Sequence, residues 1–174
     1  MLDPSLPAVG VSKMERYAAK FGAERMAAMI PYMQRIGSAE KPPIKFSYGG
    51  RISNTLDSHR LLEFALQRGG PELQTALVEQ LFHAYFEMEA DVGDRRALTD
   101  AAVAVGMDRQ EVSTFLDSDV LVDDVKRDVT AWASRYRISG VPHFVIDGRL
   151  SLSGAQEADT FEEALTEAAE RKRR

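Results

Sequence analysis

Pro142 and its neighbour His143 give the strongest chemical signal in this sequence. A peptide bond before proline adopts the cis form at a cost of only about 0.5–1 kcal/mol, so Pro142 is a candidate for that geometry. An imidazole has an unperturbed pKa of about 6.5, which suits acid–base chemistry near neutral pH. The structural alternative is that Pro142 simply opens a strand, and that His143 is a packing or surface residue of a hairpin. For His143 we favour that alternative.

Asn54 and His59 lie at the predicted start of a helix and are the other candidates for binding. Asn54 can cap that helix, because its short polar side chain accepts a hydrogen bond from the first helical N–H groups. His59 shares a helical stripe with Leu62 and Leu66, so a hydrogen-bonded core histidine is favoured over an acid–base group. We therefore assign no catalytic role to either residue.

The composition excludes several classes of function. The chain of 174 residues contains no cysteine, so it holds no disulfide, zinc–thiolate site or catalytic thiol of its own. A formal net charge of -5 argues against a nucleic-acid partner. No His-Glu-x-x-His or glycine-rich phosphate motif is present, and we expect no metal. The start resembles no signal peptide and no apolar run approaches a membrane span, so we expect a soluble cytoplasmic protein without a membrane partner.

Helical periodicity organises most of the chain. Residues 1–11 are predicted as an extended lead-in, and Ser12 with Glu15 fits a capping box. Pro31 should break the second helix near Ile30. The predicted helices cover residues 12–21, 24–36, 55–68, 71–88, 95–105, 109–116 and 120–136. Side chains at helical spacing are predicted to pack in the core, namely Met14, Met26, Met29, Met33 and Trp132.

The spacing of apolar residues changes after Gly140 from a helical pattern to the pattern of a strand. Residues 141–146 are short, apolar and β-branched, and Asp147-Gly148 is the signal of a type I′ hairpin leading into residues 149–153. Asp159 with Glu162 should then cap a final helix. Because an isolated two-stranded ribbon is barely stable in water, we expect another element to pair with this one.

Short motifs in a consistent order carry a family resemblance. The run from Ile138 to Gly148 resembles the proline loop and hairpin of the thioredoxin superfamily. The motifs Leu2-Asp3-Pro4, Asn54-Thr55-Leu56-Asp57-Ser58-His59-Arg60-Leu61 and Ser153-Gly154-Ala155-Gln156 are similar to the FrnE-like branch of DsbA-like oxidoreductases. The resemblance implies a helix-dominated α/β, thioredoxin-like (DsbA-type) fold with a large helical insertion over 12–136. Residues 137–174 would be an incomplete thioredoxin half, with only the C-terminal β-hairpin and helix.

The same resemblance implies thiol–disulfide oxidoreductase activity for the family. In such proteins the proline is cis and lies beside the active-site thiols. The backbone of Val141 next to Pro142 would then pair with an extended peptide, a thiol substrate or glutathione, near the helix that carries Asn54 and His59. The family's strand, Cys-x-x-Cys helix and second strand lie before the point where this sequence begins. We therefore expect the chain as given to be redox-inactive, whether the gene start is misplaced or the protein is short.

Two alternatives stay open. Related hydroxychromene-carboxylate isomerases and kappa-class glutathione transferases activate glutathione with a serine, which makes a glutathione-dependent isomerase or transferase the second hypothesis. The third hypothesis is a non-catalytic interaction module, because the edge formed by residues 144–146 would lack neighbouring strands and could recruit a second copy of the chain.

Overall fold

A computed structural model describes residues 5–7 and 9–173, so the Leu2-Asp3-Pro4 motif lies outside the described residues. The chain forms two compact units, residues 2–125 and residues 126–174. The sequence places the domain boundary between residues 136 and 137, whereas the compact units divide between Val125 and Lys126, inside a helix.

Helices make up most of the described chain. They are α1 Lys13–Phe21, α2 Ala23–Ala39, α3 Leu56–Phe86, α4 Arg95–Ala104, α5 Arg109–Asp117, α6 Val122–Tyr136 and α7 Ala158–Lys172. Four short strands pair in two antiparallel ribbons, β1 Val11–Ser12 with β2 Arg51–Ile52, and β3 His143–Ile146 with β4 Leu150–Ser153. The predicted order, helices followed by a hairpin and a last helix, is confirmed in the described residues, but seven helices stand where eight are predicted, because two of the predicted helices are joined in α3.

Local signals set most helix ends. The hydroxyl of Ser12 accepts a hydrogen bond from the Glu15 N–H at 3.3 Å, and the Asp108 carboxylate accepts one from the Glu111 N–H at 2.8 Å. The predicted cap at Asp159 is wrong, because α7 begins earlier, at Ala158, with Glu157 as its N-cap. Asp159 instead lies in the first turn, where the helix dipole still favours a carboxylate.

The predicted break near Ile30 is also wrong. The second helix runs without interruption from Ala23 to Ala39 and contains Pro31 in its interior. Proline removes one backbone donor from a helix and clashes with the preceding turn. Met26 and Gly37 are buried on either side of Pro31, so packing holds both halves in one helix.

A short antiparallel ribbon pairs the end of the lead-in with the segment before α3. The sequence does not predict this ribbon. Val11 pairs with Ile52 and Ser12 pairs with Arg51. Residues 1–11 are predicted as an extended lead-in, and Val11 at its end belongs to this ribbon. Strands of two residues are too short to produce an alternating pattern, so the pairing leaves no periodic signal in the sequence.

The core of residues 2–125 lies between α3, α4 and α5. Leu61, Leu77 and Leu98 are fully buried there, and the rings of Phe64 and Phe115 stack at 4.2 Å. The long helix α3 is kinked at Gly70, whose φ of 73° and ψ of -170° are non-helical. The two helices predicted on either side of this glycine are therefore present as the two halves of α3.

Two of the predicted core residues lie on the surface instead. Met26 is 1% exposed, as predicted, but Met14 is 38% exposed and Trp132 is 51% exposed. Trp132 stacks on Tyr136 of the same helix, with ring centroids 5.3 Å apart. Helical spacing shows which side chains share a face, but it does not show whether another element covers that face.

Candidate functional site: the proline loop and the open edge of its hairpin

The proline loop leads directly into β3. The peptide bond between Val141 and Pro142 is cis, and the Val141 side chain is 61% exposed. The carbonyl of Pro142 accepts a hydrogen bond from the Gly154 N–H at 2.8 Å. That bond joins the loop to the end of β4 and fixes how the hairpin begins.

The register of the hairpin determines which backbone groups of β3 are free. His143 pairs with Ser153 and Val145 with Ser151. In an antiparallel ladder, hydrogen-bonded pairs alternate with pairs whose backbone groups point outward. The Gly154-to-Pro142 bond makes residues 142 and 154 a hydrogen-bonded pair, so the pairs at His143 and Val145 are of the outward type. The N–H and C=O groups of His143 and Val145 therefore point toward the edge of β3 opposite β4.

The hairpin turn has the backbone conformation predicted from the sequence, but it is one residue longer than predicted. Asp147 and Gly148 have positive φ angles of 52° and 69°, as a type I′ turn requires. The Arg149 N–H donates to the Ile146 carbonyl at 3.1 Å. The ladder, however, pairs Ile146 with Leu150, so β4 begins one residue later than predicted and Arg149 belongs to the turn.

The two faces of the hairpin differ in their neighbours. Phe144 packs edge-on against Phe161 of α7, with ring centroids 4.8 Å apart. Alternation along the strand then places His143 and Val145 on the opposite face. Among the described residues, His143 Nε2 is a buried side-chain nitrogen without a hydrogen-bond partner. Buried polar groups nearly always form a hydrogen bond. The Nε2 atom of His143 is therefore a position that could form a hydrogen bond with a ligand.

Asn54 and His59 have structural partners in the unit of residues 2–125. Asn54 Oδ1 accepts a hydrogen bond at 2.9 Å from the N–H of Leu56, the first residue of α3, whereas Thr55 is the N-cap of that helix. His59 Nδ1 lies 2.7 Å from the Thr55 carbonyl. A carbonyl only accepts, so Nδ1 carries the proton and Nε2 is the acceptor of the neutral ring. Burial lowers the pKa of His59, which keeps the ring neutral near pH 7.

Arg60, beside His59, is a buried residue that the sequence interpretation names only as part of a motif. Its side chain is 1% exposed and donates to the Val120 carbonyl at 2.8 Å and the Ser118 carbonyl at 2.5 Å. It also forms an ion pair with Asp57 at 2.5 Å. An arginine three residues after an aspartate is also the pattern of an exposed helix pair, so its burial has no distinctive signal in the sequence.

The predicted binding residues thus belong to two different units. Val141, Pro142 and His143 lie in residues 126–174, whereas Asn54 and His59 lie in residues 2–125. Within the described ranges, no group of three His, Cys, Asp or Glu side chains could hold a metal ion. None of the helices in the same ranges is long and apolar enough to cross a bilayer.

Comparisons with known proteins agree with this architecture. Residues 2–166 match the model of a family described as the DSBA-like thioredoxin domain. The crystal structure of a probable DsbA oxidoreductase from Streptomyces coelicolor matches with a TM-score of 0.85 and 30% identity, covering 97% of this chain and 72% of that chain. No curated protein matches the sequence.

Proposed function

Because the chain belongs to the DSBA-like thioredoxin domain family, we propose that residues 141–145 bind an extended, thiol-bearing peptide as an added strand. The fold is that of a thiol–disulfide oxidoreductase, but none of the 174 residues is a cysteine, so the chain cannot itself exchange a disulfide. We therefore assign residues 141–145 the binding of a substrate and no step of disulfide exchange. Membership of the FrnE-like branch and a cytoplasmic location stay predictions.

The outward backbone groups of β3 carry this proposal. His143 and Val145 present N–H and C=O groups along an edge that, among the described residues, pairs with no strand. An extended peptide that adds to such an edge gains main-chain hydrogen bonds, and its alternate side chains provide specificity. His143 Nε2 lies on the same strand and could accept or donate one hydrogen bond to the ligand.

The other predicted site residues, Val141, Pro142, Asn54 and His59, position the backbone rather than donate the outward hydrogen bonds. Pro142 fixes the start of the edge through its bond with Gly154, and Val141 is exposed beside it. Asn54 already accepts a hydrogen bond from the Leu56 N–H and His59 already donates to the Thr55 carbonyl, so these two side chains position the start of their own helix. Direct contact of these two side chains with the substrate stays an untested prediction.

A proline at Val145 tests the edge directly. Its missing N–H would face outward, where an edge strand tolerates proline, so the ladder to β4 is retained while peptide addition is blocked. Binding of a fluorescein-labelled peptide containing one reduced cysteine is measured by anisotropy, and Val145→Pro should weaken it about ten-fold. Val145→Thr is the matched control, because it changes the side chain and keeps the N–H.

Equal binding by Val145→Pro and the unmodified chain, with the circular dichroism spectrum unchanged, would contradict the proposal. Competition by reduced glutathione at the same edge would favour the glutathione-dependent alternative over a peptide substrate. Insulin reduction by the purified cysteine-free chain would overturn the binding-only role.

A second candidate is self-association through the same edge. Val141 is 61% exposed and Phe144 is 37% exposed next to the outward backbone groups, and open strand edges recruit other chains. Sedimentation at concentrations on the order of tens of micromolar should then show a homodimer that Val145→Pro disrupts. A monomer for both proteins would remove this candidate and leave the peptide proposal standing.

A further inference from the structure

A cavity of about 750 Å³ lies within residues 2–125, between α1, α2, the segment 40–48 and the last turns of α3. We propose that it binds an uncharged, planar aromatic molecule that carries a carbonyl oxygen. The volume lies within the range of small-molecule sites, which is roughly 300–1,000 Å³. Its lining residues all belong to residues 13–87, and the inference does not depend on the function proposed above.

Aromatic rings form the walls of this cavity. Tyr17 and Tyr48 meet edge to face at 6.5 Å, and Phe46 and Phe86 do so at 5.8 Å. Phe82, which also lines the cavity, is 54% exposed, so aromatic surface faces solvent here and is not sealed in a core. Apolar surface gathered in this way marks a binding site, and rings in these orientations favour another flat ring as the ligand.

Hydrogen-bond donors converge on one part of the lining. The hydroxyls of Tyr17 and Tyr85 are 3.1 Å apart, and because one donates to the other, the pair retains one unused O–H donor. Lys13 Nζ donates to the Tyr85 carbonyl at 2.9 Å and lies 3.8 Å from the centre of the Tyr85 ring. An ammonium group has three donors, so this bond leaves others for a ligand. The free O–H of the tyrosine pair and the free N–H groups of Lys13 can each donate a hydrogen bond to an acceptor oxygen of the ligand.

The surrounding carboxylates favour a neutral ligand over an anion. Glu40, Glu79 and Glu87 line the cavity, against the ammonium groups of Lys13 and Lys41. Hydrogen bonds from His83 and the Lys45 N–H lower the pKa of Glu87, so it is charged at neutral pH. A carboxylate ligand would be repelled by these groups. A ketone oxygen accepts the same hydrogen bonds without a net charge.

The test uses the full chain and prodan, a fluorescent naphthalene that carries a propionyl ketone and no charge. We expect saturable binding with one site and a blue-shifted emission. Met33→Trp fills the cavity and should weaken binding at least about ten-fold, and Tyr17→Phe should weaken it about five-fold by removing a donor. Trp132→Ala is the control, because it removes an exposed aromatic side chain outside the cavity and should leave the affinity unchanged.

The variants separate this site from general dye adsorption. Saturable binding that is weakened by both cavity variants and retained in Trp132→Ala supports the proposal. Binding that does not saturate, or that Tyr17→Phe leaves unchanged while Trp132→Ala reduces it, overturns the proposal. A naphthoate anion that binds more tightly than prodan would overturn the assignment of an uncharged ligand.

Discussion

The two compact units differ in how much of their own surface they bury. Residues 2–125 contain a core in which six side chains are fully buried, namely Leu61, Ala65, Leu77, Leu98, Ala102 and Val112. In residues 126–173 the buried residues are Ala164 and Ala168 of α7. The first unit is therefore held by side-chain burial. The second depends on hairpin hydrogen bonds and on the contact of Phe144 with Phe161.

This difference shows where binding surface is available. A tightly packed unit tolerates little change, because cavities and unpaired polar groups in it are costly. The hairpin unit leaves backbone donors and acceptors, and side chains such as Val141 and Trp132, open to partners. We therefore expect substitutions in the core between α3, α4 and α5 to change stability, and substitutions at the hairpin edge to change binding.

The largest expected effect comes from Arg60. Replacing it with methionine removes the donors to the Ser118 and Val120 carbonyls and leaves Asp57 only the exposed Arg95 as an ion-pair partner, which should lower the free energy of unfolding by about 3–5 kcal/mol. Urea unfolding followed by circular dichroism measures this loss. Arg109→Ala is the control, since its pair with Asp100 is exposed and should cost less than about 1 kcal/mol. Equal losses for both variants would contradict the comparison.

Removing core volume should have the next largest effect. Leu61 is fully buried, so Leu61→Ala should cost about 2–5 kcal/mol through lost burial and the cavity it leaves. Leu165 of α7 is 57% exposed, and Leu165→Ala should change the free energy of unfolding by about 0.5 kcal/mol or less. The same urea experiment compares them. A larger loss for Leu165→Ala would show that residues 126–174 have a core that the exposures do not reveal.

A backbone substitution at the kink of α3 should have an intermediate effect. Gly70 adopts a φ of 73° and a ψ of -170°, a region open almost only to glycine, so Gly70→Ala should cost about 1–3 kcal/mol. Gly140 has no positive φ and has open space where a Cβ atom would lie, so Gly140→Ala should be neutral or slightly stabilising. Thermal unfolding of both variants measures the difference in stability between them. An unchanged stability for Gly70→Ala would contradict the prediction.

The smallest expected effect is a pH dependence from His59. Burial lowers its pKa in the folded chain below the unfolded value of about 6.5. The unfolded chain then binds the proton more readily, so this contribution to stability is fully present above about pH 6.5 and is lost as the pH falls through the folded pKa. His59→Asn keeps a donor for the Thr55 carbonyl and should flatten the acid side of the stability curve.

Urea unfolding across this pH range measures the effect, and the region above about pH 6.5 serves as the internal control. There, the difference between His59→Asn and the unmodified chain should be constant. A variant that loses stability on acidification as steeply as the unmodified chain would show that His59 does not carry the dependence.

Local signals in the sequence predicted the elements and much of the hairpin. Ser12 and Asp108 cap helices as expected, because a cap depends on residues within one turn. Asp147 and Gly148 form the expected turn for the same reason. The break at Pro31 is wrong and the Val11 to Ile52 pairing has no signal in the sequence, because packing partners distant in sequence decide whether a helix continues and where a two-residue strand pairs.

By itself, the sequence determined the helix-dominated order, the family and the absence of a thiol in these 174 residues, since these follow from residue identity and short-range spacing. The tertiary structure alone decided that Arg60 is buried, that Trp132 is exposed and that the backbone of Val145 points outward. It also brought Lys13, Tyr17 and Tyr85 around one cavity. Burial and cavities depend on which distant surfaces meet, and spacing along the chain does not encode that.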